Sequence, residues 1–292
     1  MKKILIIIMA FCSLTSCNNQ EEEVDKSKLP GNDYRLFQGT PAWPLAKAVE
    51  AGDTAKIREL VSKGMEVDYQ EPRFGNTLLM LAVINSGFES ASTMLQLGAD
   101  PNLKDSYRGT TAMIDAAAND DPNYIKLLLT HGGDPNAKET APVKGKDMAR
   151  ETALNKAISY KDINNLERVK YLVEAGADVN YSNDGNPFFT NLPLADAFSQ
   201  KRLDVVLYLL QHGADYKRII YKMFNGHDVY ILEALRKCVF DLQSPDYQKK
   251  LEVIAFLKGK GLDYYKEPIP DYILKEIKKK YPKNWEEYSR KY

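Results

Sequence analysis

LGADPN at residues 97–102 returns almost unchanged as HGGDPN at residues 131–136. A fixed period of roughly 20–50 residues marks an architecture of stacked repeats. Working outward, KGMEVD stands at 63–68, and AGADVN (175–180), HGADYK (212–217) and KGLDYY (260–265) follow downstream. The glycines of this motif are Gly64, Gly98, Gly132, Gly176, Gly213 and Gly261. Each follows the last apolar residue of a helical pattern, where the chain needs a left-handed residue that glycine adopts without steric cost.

A second landmark fixes the register. Where two helices pack closely a small residue is required, and Ala48, Ala82, Ala116, Ala157, Ala197 and Ala234 fit that position. The step from alanine to following glycine is the same in four units, Ala48 to Gly64, Ala82 to Gly98, Ala116 to Gly132 and Ala197 to Gly213. It is slightly longer from Ala157 to Gly176 and much longer from Ala234 to Gly261. Stretches such as AVEAGDTAKIRELVSKG and AAANDDPNYIKLLLTHG read as helix, tight turn, second helix. Ile57, Leu60 and Val61, and later Ile125, Leu128 and Leu129, stripe one face of that second helix.

With both motifs and their spacing in hand, the pattern resembles the ankyrin repeat, a unit of about 33 residues opening in G-x-T-P-L-H-x-A and closing in G-A-D-x-N. GNTLLMLA (75–82), GTTAMIDA (109–116), RETALNKA (150–157) and NLPLADA (191–197) carry the opening, with WPLAKA (43–48) ahead of them. The resemblance implies an all-α fold, a solenoid of about six helix-turn-helix repeats with short β-hairpin fingers and a C-terminal capping helix. It places the solenoid at 39–267 and the helical cap at 268–292. In that family Thr caps the first helix, Pro occupies its first turn and His ties neighbouring repeats together. Thr77, Thr111 and Thr152 remain here, as do Pro44 and Pro193, but the histidine position holds Ala46, Met80, Ile114, Asn155 and Ala195. The expectation is an array held more by apolar stacking than by that polar ladder.

The 292 residues carry 40 Lys+Arg against 40 Asp+Glu, so no long-range field steers the chain to nucleic acid. The one basic run, KEIKKKYPK at 275–283, reads as the solvated face of the cap. No H-E-x-x-H, C-x-x-C, G-x-S-x-G or phosphate loop occurs, so the reading is a non-enzymatic chain with no cofactor and no metal site. His131 and His212 stand directly before a turn glycine, where a helix C-terminus favours a capping cation. His227 has no second ligand in view, and Cys238, beside Ile231, Leu235 and Val239, reads as a buried small apolar residue.

MKKILIIIMAFCSLTSC, at 1–17, joins two lysines, an apolar run and small residues before a cysteine, the anatomy of a secretory signal. Leu14-Thr15-Ser16-Cys17 resembles the bacterial lipobox, which implies a signal peptide over 1–16 and lipid attachment, by diacylglycerol and palmitate-type chains, at Cys17. Residues 17–38 are polar and unpatterned and are expected to be a flexible tether. The membrane is then touched only through the lipid. The expected location is the cell envelope at the outer membrane, facing the periplasm or the surface.

Ankyrin solenoids recognise proteins with their fingers and the concave ends of their inner helices, and that resemblance nominates partner-binding residues. The fingers offer Tyr69, Arg73, Phe74, Tyr107, Arg108, Phe188 and Phe189, and the inner-helix ends offer Asn119 and Tyr160. Aromatics and arginine are enriched at binding hot spots. Each ring has a second reading, packing against the next finger. Behind a lipobox, the array looks like small ankyrin lipoproteins that act as immunity proteins, sequestering toxins delivered into the envelope. A structural adaptor, or a protective partner for an exported enzyme, is the alternative, in each case a monomer that binds another protein.

Overall fold

The computed structural model describes residues 23–140, 150–160, 165–182 and 192–292. Helices come in consecutive pairs: α1 (Trp43–Glu50) with α2 (Thr54–Ser62), α3 (Leu78–Ile84) with α4 (Phe88–Gln96), and α5 (Ala112–Ala117) with α6 (Asn123–Thr130). The chain continues with α7 (Ala153–Ser159) and α8 (Asn165–Glu174), then α9 (Pro193–Ser199) and α10 (Leu203–Gln211). Odd-numbered helices from α1 to α9 stack on one another in one row, and even-numbered helices from α2 to α10 stack in a second. After a two-stranded hairpin, β1 (Tyr221–Lys222) and β2 (Asp228–Val229), come α11 (Ile231–Arg236) and the longer α12 (Pro245–Gly259), which extends the even row by packing on α10. Two short helices, α13 (Asp271–Lys280) and α14 (Trp285–Lys291), end the fold where one capping helix was expected.

The two sequence landmarks carry the packing. All six alanines are buried, at 5% exposure or less, because a larger side chain would force neighbouring odd-row helices apart. All six motif glycines have φ between 82° and 94°, the left-handed region that ends a helix at low cost only with glycine. The long step from Ala234 to Gly261 has two sources: a longer connection between α11 and α12, through Ser244, and α12 itself, which has 15 residues where α2 has 9. His131 and His212 both sit at C-cap positions and donate Nδ1–H to the carbonyl of an earlier residue in the last turn, Leu127 at 2.9 Å and Tyr208 at 2.8 Å.

The array is not held by apolar stacking alone. Asn102, Asn136 and Asn180, the last residue of successive turn motifs, each reach forward to the next one. Their amides donate to the carbonyls of Gly132, Gly176 and Gly213 at 2.9–3.0 Å and accept the N–H of Asp134, Asp178 and Asp215 at 2.8 Å. At the family's histidine position Asn155 donates to Asp196 at 2.7 Å, so one link of the missing ladder is remade with an amide.

Pairs α1/α2 to α9/α10 share one apolar core with α11 and α12; Ile273, Ile277, Tyr288 and Tyr292 form a second, smaller cluster beneath the end helices. Lys275 and Lys278–Lys280 of the basic run are exposed, on the solvated face of α13. Two cations lie buried at this end. Arg236 donates to the carbonyls of Tyr264, Glu267 and Tyr292 at 2.7–3.0 Å, with its guanidinium 3.9 Å over the Tyr264 ring. Lys250, fully buried, donates to the Cys238 carbonyl at 3.2 Å and lies 3.2 Å over the Tyr292 ring. Burial holds its amine well below the ordinary lysine value. Cys238 is buried, and its thiol is pushed up to about 11 by that burial.

Part of the expected tether is packed structure. Two short 3₁₀ turns, Lys26–Lys28 and Tyr34–Phe37, precede α1, and Tyr34, Leu36 and Phe37 are buried. Phe37 meets Tyr69 with ring centroids 6.2 Å apart. The packed array therefore starts before residue 39, because three apolar side chains in an otherwise polar stretch suffice to cover the open end of α1.

Candidate protein-binding surface

Three successive fingers are each organised by one carboxylate. Glu71, 1% exposed, accepts the N–H groups of Arg73, Phe74 and Asn76 at 2.7–3.3 Å. Asp105 accepts those of Tyr107, Arg108, Gly109 and Thr110 at 2.6–3.2 Å. Glu139, at the equivalent place in the next repeat, accepts from Arg108 Nη2 at 2.6 Å and from the Glu151 N–H at 3.3 Å. These acids fold the tips without the strand pairing expected of every finger. Among the described residues only β1–β2 pairs as a hairpin, with one isolated bridge between Lys138 and Thr152. Neighbouring tips are joined through the main chain, Ser106 N–H to Phe74 O at 2.7 Å and Thr140 N–H to Arg108 O at 3.0 Å. Gly75 is required there, since a Cβ would come within 2.7 Å of the Ser106 nitrogen.

The nominated residues separate into two groups. Tyr107 (57% exposed) and Tyr160 (41%) offer rings to solvent. Five others are engaged within the chain. Tyr69 is half-buried against Phe37, and Phe74 packs edge-on to Tyr107 at 5.9 Å. Arg73 donates to the carbonyls of Lys26, Ser27 and Leu29. Arg108 pairs with Glu139, whose carboxylate also raises the guanidinium pKa. Asn119 is buried and works as a brace: it donates to Val83 O at 2.8 Å, and its carbonyl accepts from Arg168 at 2.7 Å. Phe188, Phe189 and Cys17 lie outside the described residues.

Sequence reading passed over Phe224, fully exposed at the β1–β2 tip, and Tyr230, 51% exposed at the start of α11. The signal for the first was present: Asn225-Gly226 is a hairpin turn pair, and Gly226 has φ 84°. Phe224 borders a cleft with Tyr221, Met223 and Lys237, whose amine stands 4.6 Å over the Tyr221 ring. His227 at the same hairpin pairs with Glu233 at 2.7 Å, and Tyr272 donates to that carboxylate at 2.8 Å. Among the described residues no group of three or more His, Cys, Asp or Glu side chains is placed to hold a metal.

The odd row also carries half-buried acids. Asp115 of α5 is pushed up to about 8 by burial, with Asp105 and Glu139 adding repulsion and Lys156 opposing. Asp196 of α9 is pushed up to about 6 by burial against the relief of the Asn155 amide.

Stacked helix pairs with carboxylate-pinned fingers define a repeat protein that exposes a finger edge along one side of its odd row. The family model for ankyrin repeats matches in three copies, over residues 45–139, 93–183 and 113–219. The chain belongs to the ankyrin-repeat family, whose members generally bind other proteins and are not catalysts. It is similar to an ankyrin-repeat protein of Fowlpox virus (strain NVSL), 27% identical over 175 residues, 59% of this chain and 48% of that protein. An ankyrin-repeat protein of Rickettsia felis is 28% identical over 166 residues, 48% of this chain and 60% of that protein. An ankyrin repeat-containing protein of Treponema pallidum is 30% identical over 113 residues, covering 39% and 37% of the two chains. The chain spans about half the length of the first of these relatives.

Proposed function

We propose that this chain is a non-enzymatic ankyrin lipoprotein of the bacterial cell envelope, anchored by Cys17, which captures another protein on its finger edge. The array consists of six repeats, α11/α12 being the last. The observation that carries the reading is the exposure of Tyr107 and Phe224 on separate fingertips and of Tyr160 on the odd row. Large rings left mostly in solvent at fingertips gain by burial against a partner; Tyr107 has one edge contact, with Phe74, and the rest of its ring is open. Envelope placement is supported by the lipobox-like Leu14-Thr15-Ser16-Cys17. Among the described residues no helix is long and apolar enough to cross a membrane. Within this reading the partner is a toxin, as in the immunity-type ankyrin lipoproteins that the sequence resembles; an adaptor or protective partner for an envelope protein is the second reading.

Capture of partners from detergent-solubilised envelopes on the full chain tests the choice. One toxin encoded beside this gene supports immunity, and several resident envelope proteins support the adaptor. Cys17→Ser should leave the array folded while releasing it from membranes under a carbonate wash, because a serine oxygen does not replace the thiolate as lipid acceptor. Retention of Cys17→Ser on membranes contradicts the anchor.

A further inference from the structure

The stretch from Val24 to Asp33 lies on the array without being buried in it. None of its side chains is buried, in contrast with Tyr34, Leu36 and Phe37 immediately after it. It is held mainly by its main chain, with Leu29 half-buried against the core. Arg73, on the first finger, donates to the carbonyls of Lys26, Ser27 and Leu29, the last two at 2.8 and 2.9 Å. Asn76 donates to Gly31 O at 2.8 Å, and Asn85, at the far end of α3, donates to Asn32 O at 2.8 Å. Five carbonyls are thus read by three side chains that run from the fingertip to the end of an odd-row helix. The strap's own side chains add Asn32 Nδ2 to Asn85 Oδ1 at 3.0 Å and Lys26 Nζ to the carbonyl of Gln38, just beyond the segment.

Carbonyls are common to all residues, so a surface that reads them tolerates replacement of one extended segment by another. The flanking cleft, lined by Glu50, Glu89 and Asn85 and by Arg35, which pairs with Asp33 at 2.6 Å, has a net negative lining that adds a preference. Glu50 and Glu89 are exposed and enter no ion pair among the described residues. Residues 23–140 hold 17 acidic and 12 basic side chains, and 192–292 hold 14 acidic and 19 basic, so the neutral chain is acidic at this end. We propose that residues 24–33 are a releasable strap covering a main-chain-reading surface made by Arg73, Asn76 and Asn85, and that an extended, basic segment of a partner polypeptide takes its place. The identity of the occupant rests on the protein-capture reading above; the release of the strap does not.

Both parts are tested on the full chain. In hydrogen exchange, Lys26→Ala/Asn32→Ala speeds exchange of amides in 24–33 at least tenfold and leaves α1 to α4 unchanged. Loosening of α1 or α3 to the same degree, or no change anywhere, overturns the strap. The probe for occupancy is a labelled synthetic peptide with the sequence of residues 24–33 and both aspartates replaced by lysine. It binds Lys26→Ala/Asn32→Ala at least tenfold more tightly than the wild type, and adding Arg73→Ala removes the gain. Equal affinity for all three proteins, retained binding after Arg73→Ala, or dimers formed by strap exchange between copies overturns the proposed occupant while leaving the exchange result to judge the strap.

Discussion

Ser86 and Lys201 have φ of 60° and 55°, at the position where the first helix pair carries Gly52 with φ 69°. A side chain in that conformation is strained by about 1–2 kcal/mol, partly offset by the chain entropy that glycine would add to the unfolded state. Ser86→Gly and Lys201→Gly are each expected to raise stability by about 0.5 kcal/mol in denaturant titration; a loss of stability would show that the side chains offset the strain. Asp115 makes a pH prediction. Its folded value of about 8 lies above the ordinary 3.8, so between those values the folded chain binds the extra proton. Stability attributed to this group is complete below about pH 4 and is lost as the pH rises through 8. Asp115→Asn should therefore melt above the wild type at pH 8 and match it near pH 4; parallel curves at both pH values would contradict the burial argument.

Among the elements, fingers and cap depend on groups that sequence reading reached unevenly. The motif glycines and alanines were legible because backbone conformation and close packing admit few residue types at those points. Glu71, Asp105 and Glu139 recur once per repeat at equal spacing and were legible in principle, but acids in a loop read as solvated until their N–H partners are seen. Arg73 and Asn119 have the chemistry of partner contacts; contacts to segments more than a repeat away in sequence decide otherwise, and local pattern does not contain them. Glu71→Ala leaves three finger N–H groups without their acceptor and should cost about 1–3 kcal/mol. An unchanged denaturation midpoint would mean that water replaces the carboxylate. In α12, Lys250→Met removes a buried amine at nearly constant volume and should stabilise by about 1–3 kcal/mol at neutral pH. Because the folded amine titrates below the unfolded one, wild-type stability rises with pH towards about 10.5, and the advantage of methionine should shrink over that range.

At the scale of the whole molecule, the chain is a stack in which helix pairs bury their core against their neighbours, leaving the fingertips exposed. Its zero net charge hides an acidic beginning and a basic end, which orients any charged partner along the stack. The central claim is that the exposed fingertip rings make the capture surface. The direct measurement is the affinity of the captured protein for full-length wild type, for Tyr107→Ala/Phe224→Ala, and for Lys126→Ala/Glu167→Ala on the even row. The fingertip pair should weaken binding at least tenfold, a loss of about 1.4 kcal/mol, with the melting temperature unchanged, and the even-row pair should leave binding intact. Undiminished binding by the fingertip pair, or its loss in the even-row pair, would contradict the account.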